Sequence, residues 1–154
     1  MYAVLDEPLA DPGRLHADAM EARDLIERSR DQVAALLGTR NRSVVFTSSA
    51  TESITAATWG AAQRCDRAIA TMVEHSAVRA GSTRWFGPDA VTMLPVDGAG
   101  RVDPAAVAAV LDERPTLVHV QWANHEVGTI QPVAEVVEAA RSAGALVHVD
   151  AAQA

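Results

Sequence analysis

The sequence has 154 residues, 49% of them hydrophobic, and its 13 basic residues against 20 acidic ones give a net charge of −7. This length and apolar content suit one folded domain with a sizeable core. The negative charge argues against nucleic acid or an anionic membrane as a partner, and no apolar run approaches the roughly 18 residues of a membrane span.

Two features of the sequence concern the cellular compartment. Cys65 is the only cysteine, which excludes an internal disulfide bond and is typical of a reducing cytoplasm. The first eight residues have no basic region followed by a long apolar stretch, which disfavours a secretory signal. We therefore expect a cytoplasmic protein.

The first half of the chain alternates between helical and strand patterns. Apolar residues at three- and four-residue spacing predict a helix over residues 17–37, and Gly38 is a typical helix stop. The elements predicted next are a short buried strand at 44–46, an alanine-rich helix at 51–64, a strand at 67–72, a helix at 76–86 and a strand at 91–96.

The second half continues this alternation. Asp103 followed by Pro104 indicates an N-cap and the first residue of a helix that runs to about residue 111. The remaining predicted elements are a strand at 117–122, a helix at 132–143 ended by Gly144, and a strand at 145–149. Five apolar strands separated by helices predict an α/β fold with a mainly parallel sheet and helices on both faces, in a single domain over residues 1–154.

Ligands of such sheets bind at the carboxyl ends of the strands, so the polar residues just after each strand are the candidate site. After the first predicted strand, residues 47–53 read Thr-Ser-Ser-Ala-Thr-Glu-Ser and lead into a helix. Small residues and free amides at a helix N-terminus suit a phosphate group. The alternative is a plain Ser/Thr helix cap, which these residues alone favour.

Three more strand ends carry polar side chains. His75 follows the second strand and either stacks on a planar ring and exchanges protons or caps the next helix. The polar run at 124–128, which includes His125, by composition indicates only a loop. Asp150 follows the last strand and either binds a pyridine nitrogen or serves as an N-cap.

Two other interpretations compete with a ring cofactor. A metal site is one, because five possible ligands lie in or after neighbouring strands: His119, His125, Glu126, His148 and Asp150. Without cysteine pairs or an H-x-x-x-H helix, the sequence favours the ring cofactor over a metal. Cys65 lies beside Arg64 and Arg67, which would lower its pKa and make it reactive, but a structural cysteine is the simpler interpretation.

The chain contains no lysine, since all 13 basic residues are arginines. Pyridoxal 5'-phosphate is a pyridine-ring cofactor, and enzymes hold it as a Schiff base with a lysine amine. The sequence therefore predicts a cofactor site without its covalent tether, so that any binding by these residues is non-covalent.

Taken together, the segments resemble the class V aminotransferase family, and specifically its cysteine desulfurases. Six matching segments occur in family order and with family-like spacing, and together they cover nearly the whole chain. They are Leu15-His16 with Glu21-Ala-Arg23, Phe46-Thr-Ser-Ser-Ala-Thr-Glu-Ser53, Glu74-His75-Ser-Ala-Val78, Leu94-Pro-Val96 followed by Gly100, Asn124-His-Glu-Val-Gly-Thr-Ile-Gln-Pro132, and His148-Val-Asp-Ala-Ala-Gln153.

The resemblance implies a role for each candidate residue. Ala50 and Thr51 would hold the cofactor phosphate, and His75 would stack on the ring and help to move protons. Asp150 would bind the pyridine nitrogen, and Gln153 would bond the phenolic oxygen. Where the family usually has a second asparagine that contacts this oxygen, the chain has His125. The family's glycine before Ala-Thr is Ser49 here, which would cost stability if the position needs a positive φ.

The resemblance also implies what the chain lacks. The family's Ser-x-His-Lys segment, its persulfide-forming cysteine in a small C-terminal domain and its N-terminal Tyr-Leu-Asp-x-Ala-Ala segment have no match in these residues. We therefore expect a partial large domain of the fold type I transferases. It would belong to a cytoplasmic sulfur-transfer enzyme of iron–sulfur cluster assembly, and it would be inactive alone.

The resemblance leaves several partners and functions open. The substrate would be L-cysteine or a similar amino acid, converted to alanine while the sulfur passes to an enzyme cysteine. The lysine would come from a second polypeptide or from further sequence, and a homodimer partner is expected because family members form their sites at a subunit interface. The alternatives are another class V enzyme, such as a selenocysteine lyase or a transaminase, and a non-catalytic remnant or dimerisation module.

Overall fold

The computed structural model describes residues 10–154, so the N-terminal residues for which the sequence disfavours a secretory signal lie outside the described part. The chain divides into two compact units, one up to Phe46 and the other from Thr47 to Ala154. The single domain expected over residues 1–154 stays a prediction. No helix in the described part is both long enough and apolar enough to cross a membrane.

The first unit is built around helix α1 (Ala17–Leu36) and a short 3₁₀ turn (Asn41–Ser43). The predicted helix end is confirmed within one residue, and Gly38 adopts a φ of 62° just after it. The strand predicted at 44–46 is wrong. Val45 and Phe46 are 75% and 50% exposed, and the Arg30 guanidinium lies over the Phe46 ring, 4.8 Å from its centre.

The second unit alternates helices and strands. Its elements are α2 (Ala50–Ala62), β1 (Arg67–Thr71), α3 (Ser76–Phe86), β2 (Val91–Leu94), α4 (Pro104–Val110), β3 (Thr116–Gln121), α5 (Val133–Ser142) and β4 (Leu146–Asp150). Each predicted element of this unit is confirmed within two residues. The predicted cap of α4 is confirmed as well, because the Asp103 carboxylate accepts a hydrogen bond from the Ala105 amide at 2.9 Å.

The strands form one parallel sheet in the order β2-β1-β3-β4. The predicted α/β class and parallel sheet are confirmed, with four strands in the described residues instead of about five, because residues 44–46 do not pair. β1 and β3 are central and buried along their whole length, whereas β2 and β4 are only partly buried. This order brings the carboxyl ends of β1, β3 and β4 side by side.

Helices cover both faces of this sheet, as the unbroken apolar runs of the central strands predict. On one face, Ile69 and Val118 pack against α4 and α5. On the other face, Ala70 packs against Ile54 of α2 and Val78 of α3. Successive side chains of a strand point to opposite faces, so these two cores fix the strand register and hold the loops at the carboxyl edge.

Candidate functional site

A cavity of about 590 Å³ lies at the carboxyl ends of β1, β3 and β4, beside the N-termini of α2 and α3. Parallel strands end at the same edge of their sheet, so the polar residues that follow them converge there. All six residues that the sequence analysis assigned to a ring cofactor line this cavity: Ala50, Thr51, His75, His125, Asp150 and Gln153.

The N-terminus of α2 forms one wall. The Ser49 hydroxyl accepts a hydrogen bond from the Glu52 amide at 3.3 Å, and the Glu52 carboxylate accepts from the Ser48 amide and hydroxyl at 2.7 and 2.6 Å. The Ser48 hydroxyl, followed by its amide, lowers the Glu52 pKa. The predicted Ser/Thr cap is therefore confirmed, and it leaves other groups of this helix end available.

Those groups are the amides of Ala50 and Thr51. Among the hydrogen bonds formed within residues 10–154, none uses either N–H. Unpaired amides at the positive end of a helix dipole attract an anion. Ser49 itself has φ −166° and ψ 163°, an extended conformation that any residue adopts. Serine at this position therefore causes no loss of stability from a positive φ.

His75 links the end of β1 to the start of α3. Its Nδ1 accepts a hydrogen bond from the Ala77 amide at 3.2 Å, so the helix-cap interpretation is confirmed. The same ring lines the cavity. Because Nδ1 acts as the acceptor, the neutral ring carries its proton on Nε2, which leaves a donor for a ligand.

Asp150 and Gln153 stand at the end of β4. The Asp150 carboxylate accepts one hydrogen bond through Oδ1, from the Ala152 amide at 3.1 Å, and its backbone carbonyl accepts from the Trp122 amide at 2.8 Å. Asp150 thus caps a turn and is held against β3. Within the described residues, nothing donates to Oδ2, which leaves this atom available to a cation in the cavity.

The loop after β3 is held by Asn124. This buried side chain donates to the Val73 carbonyl at 3.1 Å and accepts from the Glu126 and Val127 amides at 2.9 and 3.0 Å. The bonds tie the loop to the end of β1 and leave His125, which is exposed, on the cavity wall. Asn124 is therefore a structural residue of the loop, and His125 is the residue that a ligand would meet.

Glu74 also lines this cavity, although no role was predicted for it from the sequence. This carboxyl is 3% exposed, and its Oε1 accepts from the Gln121 amide at 3.0 Å and the Thr71 hydroxyl at 2.9 Å. Burial raises the pKa of Glu74 to about 7, and the nearby Asp150 charge adds to the increase, while the hydrogen bonds oppose it. The signal in the sequence was an acidic residue directly before His75, close to the end of an apolar strand.

The residues considered for a metal are used differently. His119 and His148 bond each other through their Nδ1 atoms at 3.0 Å, below the sheet edge and not on the cavity wall. Within residues 10–154, no three His, Cys, Asp or Glu side chains are grouped to hold a metal ion.

Cys65 packs with Ala61 and Leu117 in a small apolar cluster and is 8% exposed. Burial, followed by the Asp66 charge, raises the pKa of its thiol. The suggestion that the neighbouring arginines lower this pKa is therefore wrong, and Cys65 is a packing residue.

The sequence model of the family described as "Aminotransferase class-V" matches residues 10–154. The chain belongs to the class V aminotransferase family. Its similar relatives include a cysteine desulfurase of Cereibacter sphaeroides, 39% identical over 100% of the chain and 41% of the relative. Another is the cysteine desulfurase IscS of Anaeromyxobacter sp. (strain Fw109-5), 38% identical over 90% of the chain and 35% of the relative.

Several solved structures superpose on this class V chain. A NifS-like protein matches 99% of the chain and 44% of its own length, at a TM-score of 0.87 and 34% identity. SspA in complex with cysteine matches 94% and 43%, at 0.84 and 28% identity. DndA from Streptomyces lividans matches 94% and 42%, at 0.81 and 33% identity. The fold type I assignment is confirmed, and the chain spans less than half the length of these relatives.

Class V aminotransferases depend on pyridoxal phosphate, and the side chains of this cavity fit that molecule. A phosphate, a flat ring and a basic pyridine nitrogen need an anion site, an aromatic or imidazole face and a carboxylate. The cavity has the free amides of Ala50 and Thr51, the His75 ring and the Asp150 carboxylate. The available groups therefore suit the cofactor.

Proposed function

We propose that this chain forms the pyridoxal-phosphate-binding part of a cysteine desulfurase. Such an enzyme converts L-cysteine to alanine and transfers the sulfur to a cysteine thiol of the protein as a persulfide. The observation that carries the proposal is the convergence of Thr51, His75 and Asp150 on one cavity. The similarity to cysteine desulfurases over the whole chain supports the same substrate class.

The phosphate end of the site is assigned to α2. The amides of Ala50 and Thr51 and the Thr51 hydroxyl supply donors without a competing bond from the described residues. The helix dipole favours a dianion there by about 0.3–2 kcal/mol. The Ser49–Glu52 cap keeps this helix end ordered, so the donors are oriented before the ligand arrives.

The ring end is assigned to His75 and Asp150. Pyridoxal phosphate, when bound, supplies an electron sink whose strength depends on a protonated ring nitrogen. The Asp150 carboxylate would keep that proton in place through its free Oδ2. The His75 ring, fixed by its bond to the Ala77 amide, would stack on the ring face and carry a proton on Nε2.

The phenolic oxygen is assigned to Gln153 and His125. Both line the cavity from neighbouring loops, and each side chain has an N–H group that can donate. His125 replaces the amide donor that the resemblance implies for this position.

The amine that tethers the cofactor must lie outside these 154 residues, because they contain no lysine. We infer that it is contributed by further sequence or by a second, different polypeptide. The reacting thiol must also come from elsewhere, because Cys65 is buried in an apolar cluster. The 154 residues alone should produce no alanine or sulfide from L-cysteine, and turnover without an added protein would contradict this inference.

Binding of pyridoxal phosphate tests the proposed site. Equilibrium dialysis should give saturable binding to the wild type and at least about tenfold weaker binding to Asp150→Asn, since a hydrogen bond to a charged group contributes roughly 1.5–3 kcal/mol. The matched control is Asp89→Asn, an exposed aspartate outside the cavity, which should bind as the wild type does. Absent binding, or equal affinity in Asp150→Asn, would contradict the proposal.

The DNA that flanks the 154 codons tests the reaction class. A cysteine desulfurase requires a Ser-x-His-Lys segment and a cysteine-bearing small domain, in the same frame or an adjacent gene. If neither is encoded there, the function is that of a non-catalytic module.

A further inference from the structure

Glu74 is a buried carboxyl on the wall of the cavity, between β1 and α3. It is 3% exposed, precedes His75 and shares the cavity with Asp150. Carboxyl groups are seldom buried to this degree unless they are paired, because a buried charge is costly. The contacts of its two oxygens show how the molecule accommodates it.

The Oε1 atom connects two strands. It accepts from the Gln121 amide at the end of β3 and from the Thr71 hydroxyl at the end of β1. The backbone pairing of these strands extends only from Arg67 with Thr116 to Ile69 with Val118. The Glu74 side chain therefore continues the connection between β1 and β3 where their ladder has stopped, directly beneath the cavity.

The Oε2 atom has no hydrogen-bond partner among residues 10–154, although it is buried. None of the salt bridges between the described residues includes Glu74. Both oxygens of an ionised carboxylate accept hydrogen bonds, so a buried charge on Glu74 would leave Oε2 uncompensated. A proton on Oε2 removes that charge and leaves Oε1 as the acceptor that the structure uses.

The surrounding charges agree with this protonation state. The titratable or charged groups that face the cavity with Glu74 are His75, Arg79, His125, Glu126 and Asp150. Burial raises the pKa of the Glu74 carboxyl, and among these charges that of Asp150 raises it further. A buried carboxyl that forms no salt bridge and lies near a second carboxylate favours its neutral form.

We propose that Glu74 is a positioning residue of this site: it holds a proton on Oε2, joins the ends of β1 and β3 through Oε1, and leaves the negative charge on Asp150. The last part rests on the proposed function, in which Asp150 binds the pyridine nitrogen. The first two parts concern this chain's own residues and do not depend on any cofactor.

The proposal predicts a pH effect on folding. In the unfolded chain Glu74 loses its proton near its ordinary pKa, whereas the folded chain retains it until about pH 7. Its contribution to stability is therefore complete below the ordinary value and is lost as the pH rises through about 7. Glu74→Gln keeps an oxygen for the Gln121 amide and the Thr71 hydroxyl and removes this dependence.

Carbon-13 NMR of the glutamate carboxyls tests the proton directly in the complete 154-residue chain without cofactor. One carboxyl should titrate with a midpoint near pH 7 in the wild type and be missing from Glu74→Gln. The matched control, Glu126→Gln, removes an exposed carboxyl from the same cavity and should retain that titration. The proposal is overturned if every glutamate midpoint lies below about pH 6, or if the neutral midpoint survives in Glu74→Gln.

Urea unfolding distinguishes the proposed link between β1 and β3 through Glu74 from a general packing role of this side chain. As the pH rises from 5.5 to 8, the stability of Glu74→Gln relative to the wild type should increase clearly, because the variant lacks the carboxyl that must lose its proton. Glu74→Ala, which leaves the Gln121 amide without an acceptor, should be the least stable variant at both pH values. Equal pH dependence in wild type and Glu74→Gln would overturn the proposal, whereas a failure of pyridoxal phosphate to bind would leave it standing and remove only the proposed function.

Discussion

The Nδ1 atoms of His119 and His148 lie 3.0 Å apart across the paired strands β3 and β4. The two rings meet edge to face, with their centres 4.9 Å apart, and Nε2 of His119 lies 3.3 Å from the Ser82 hydroxyl. Two protonated rings could not share this contact, so the pair is a neutral polar link within the sheet.

This pair should make the fold sensitive to acid. Burial, followed by the charge of His148, lowers the pKa of His119 to about 3, and burial lowers that of His148. Unfolded histidines take up protons below about pH 6.5. The stability from the pair is therefore complete above that pH and is lost as the pH falls towards the folded values, by up to about 1.4 kcal/mol per pH unit for each ring.

Urea unfolding of the wild type and His119→Asn, at about pH 7.5 and 5.5, measures this effect through tryptophan fluorescence. The stability of His119→Asn relative to the wild type should rise on acidification, because the variant lacks a ring that resists protonation. The matched control is Ser82→Ala, which removes the hydroxyl beside His119 and keeps both rings, and it should show the pH dependence of the wild type. The same pH dependence in His119→Asn and the wild type would contradict the explanation.

The cap of α2 should be worth a measurable part of the stability. Ser49→Ala removes the acceptor of the Glu52 amide and should cost about 1 kcal/mol, while Ser49→Gly should cost only a few tenths. Thr55→Ala is the control, because Thr55 is a half-buried residue in the interior of the same helix and does not cap its N-terminus. If Ser49→Gly is more stable than the wild type, the backbone at this position prefers glycine, contrary to its extended φ of −166°.

Gly100 should be needed where it stands. It has a φ of 76°, and a Cβ there would lie 3.2 Å from Cγ2 of Val127, in the loop that carries His125. Gly100→Ala should destabilise by about 1–2 kcal/mol from backbone conformation alone, with a further penalty from the contact. Gly98→Ala has open space around its Cβ and no positive φ, so similar losses for both variants would contradict this account.

Much of the fold and of the candidate site could be predicted from the sequence. Central strands such as Arg67–Thr71 are buried on both faces, so their apolar runs identify them without knowledge of their neighbours. Once the sheet is parallel, the residues after its strands must share an edge. This topological rule is why Thr51, His75 and Asp150 could be grouped although 99 positions separate the first from the last.

The errors share one cause, which is dependence on residues far away in the sequence. Val44 to Phe46 has the composition of a strand, but a strand needs a partner, and this segment instead contacts Arg30. The role of Glu74 depends on the Gln121 amide, 47 positions later. The pKa of Cys65 follows its burial, whereas the sequence showed only the neighbouring arginines.

The most direct measurement of the central claim is a ¹H–¹⁵N NMR titration of the 154-residue chain with pyridoxal 5'-phosphate. The absence of lysine removes the side-chain amines that otherwise react with this aldehyde. The account predicts saturable shifts concentrated at the amides of Ala50, Thr51, His75 and Asp150, and loss of saturation in Asp150→Asn. Shifts that are absent, or that fall mainly outside the cavity, would contradict it.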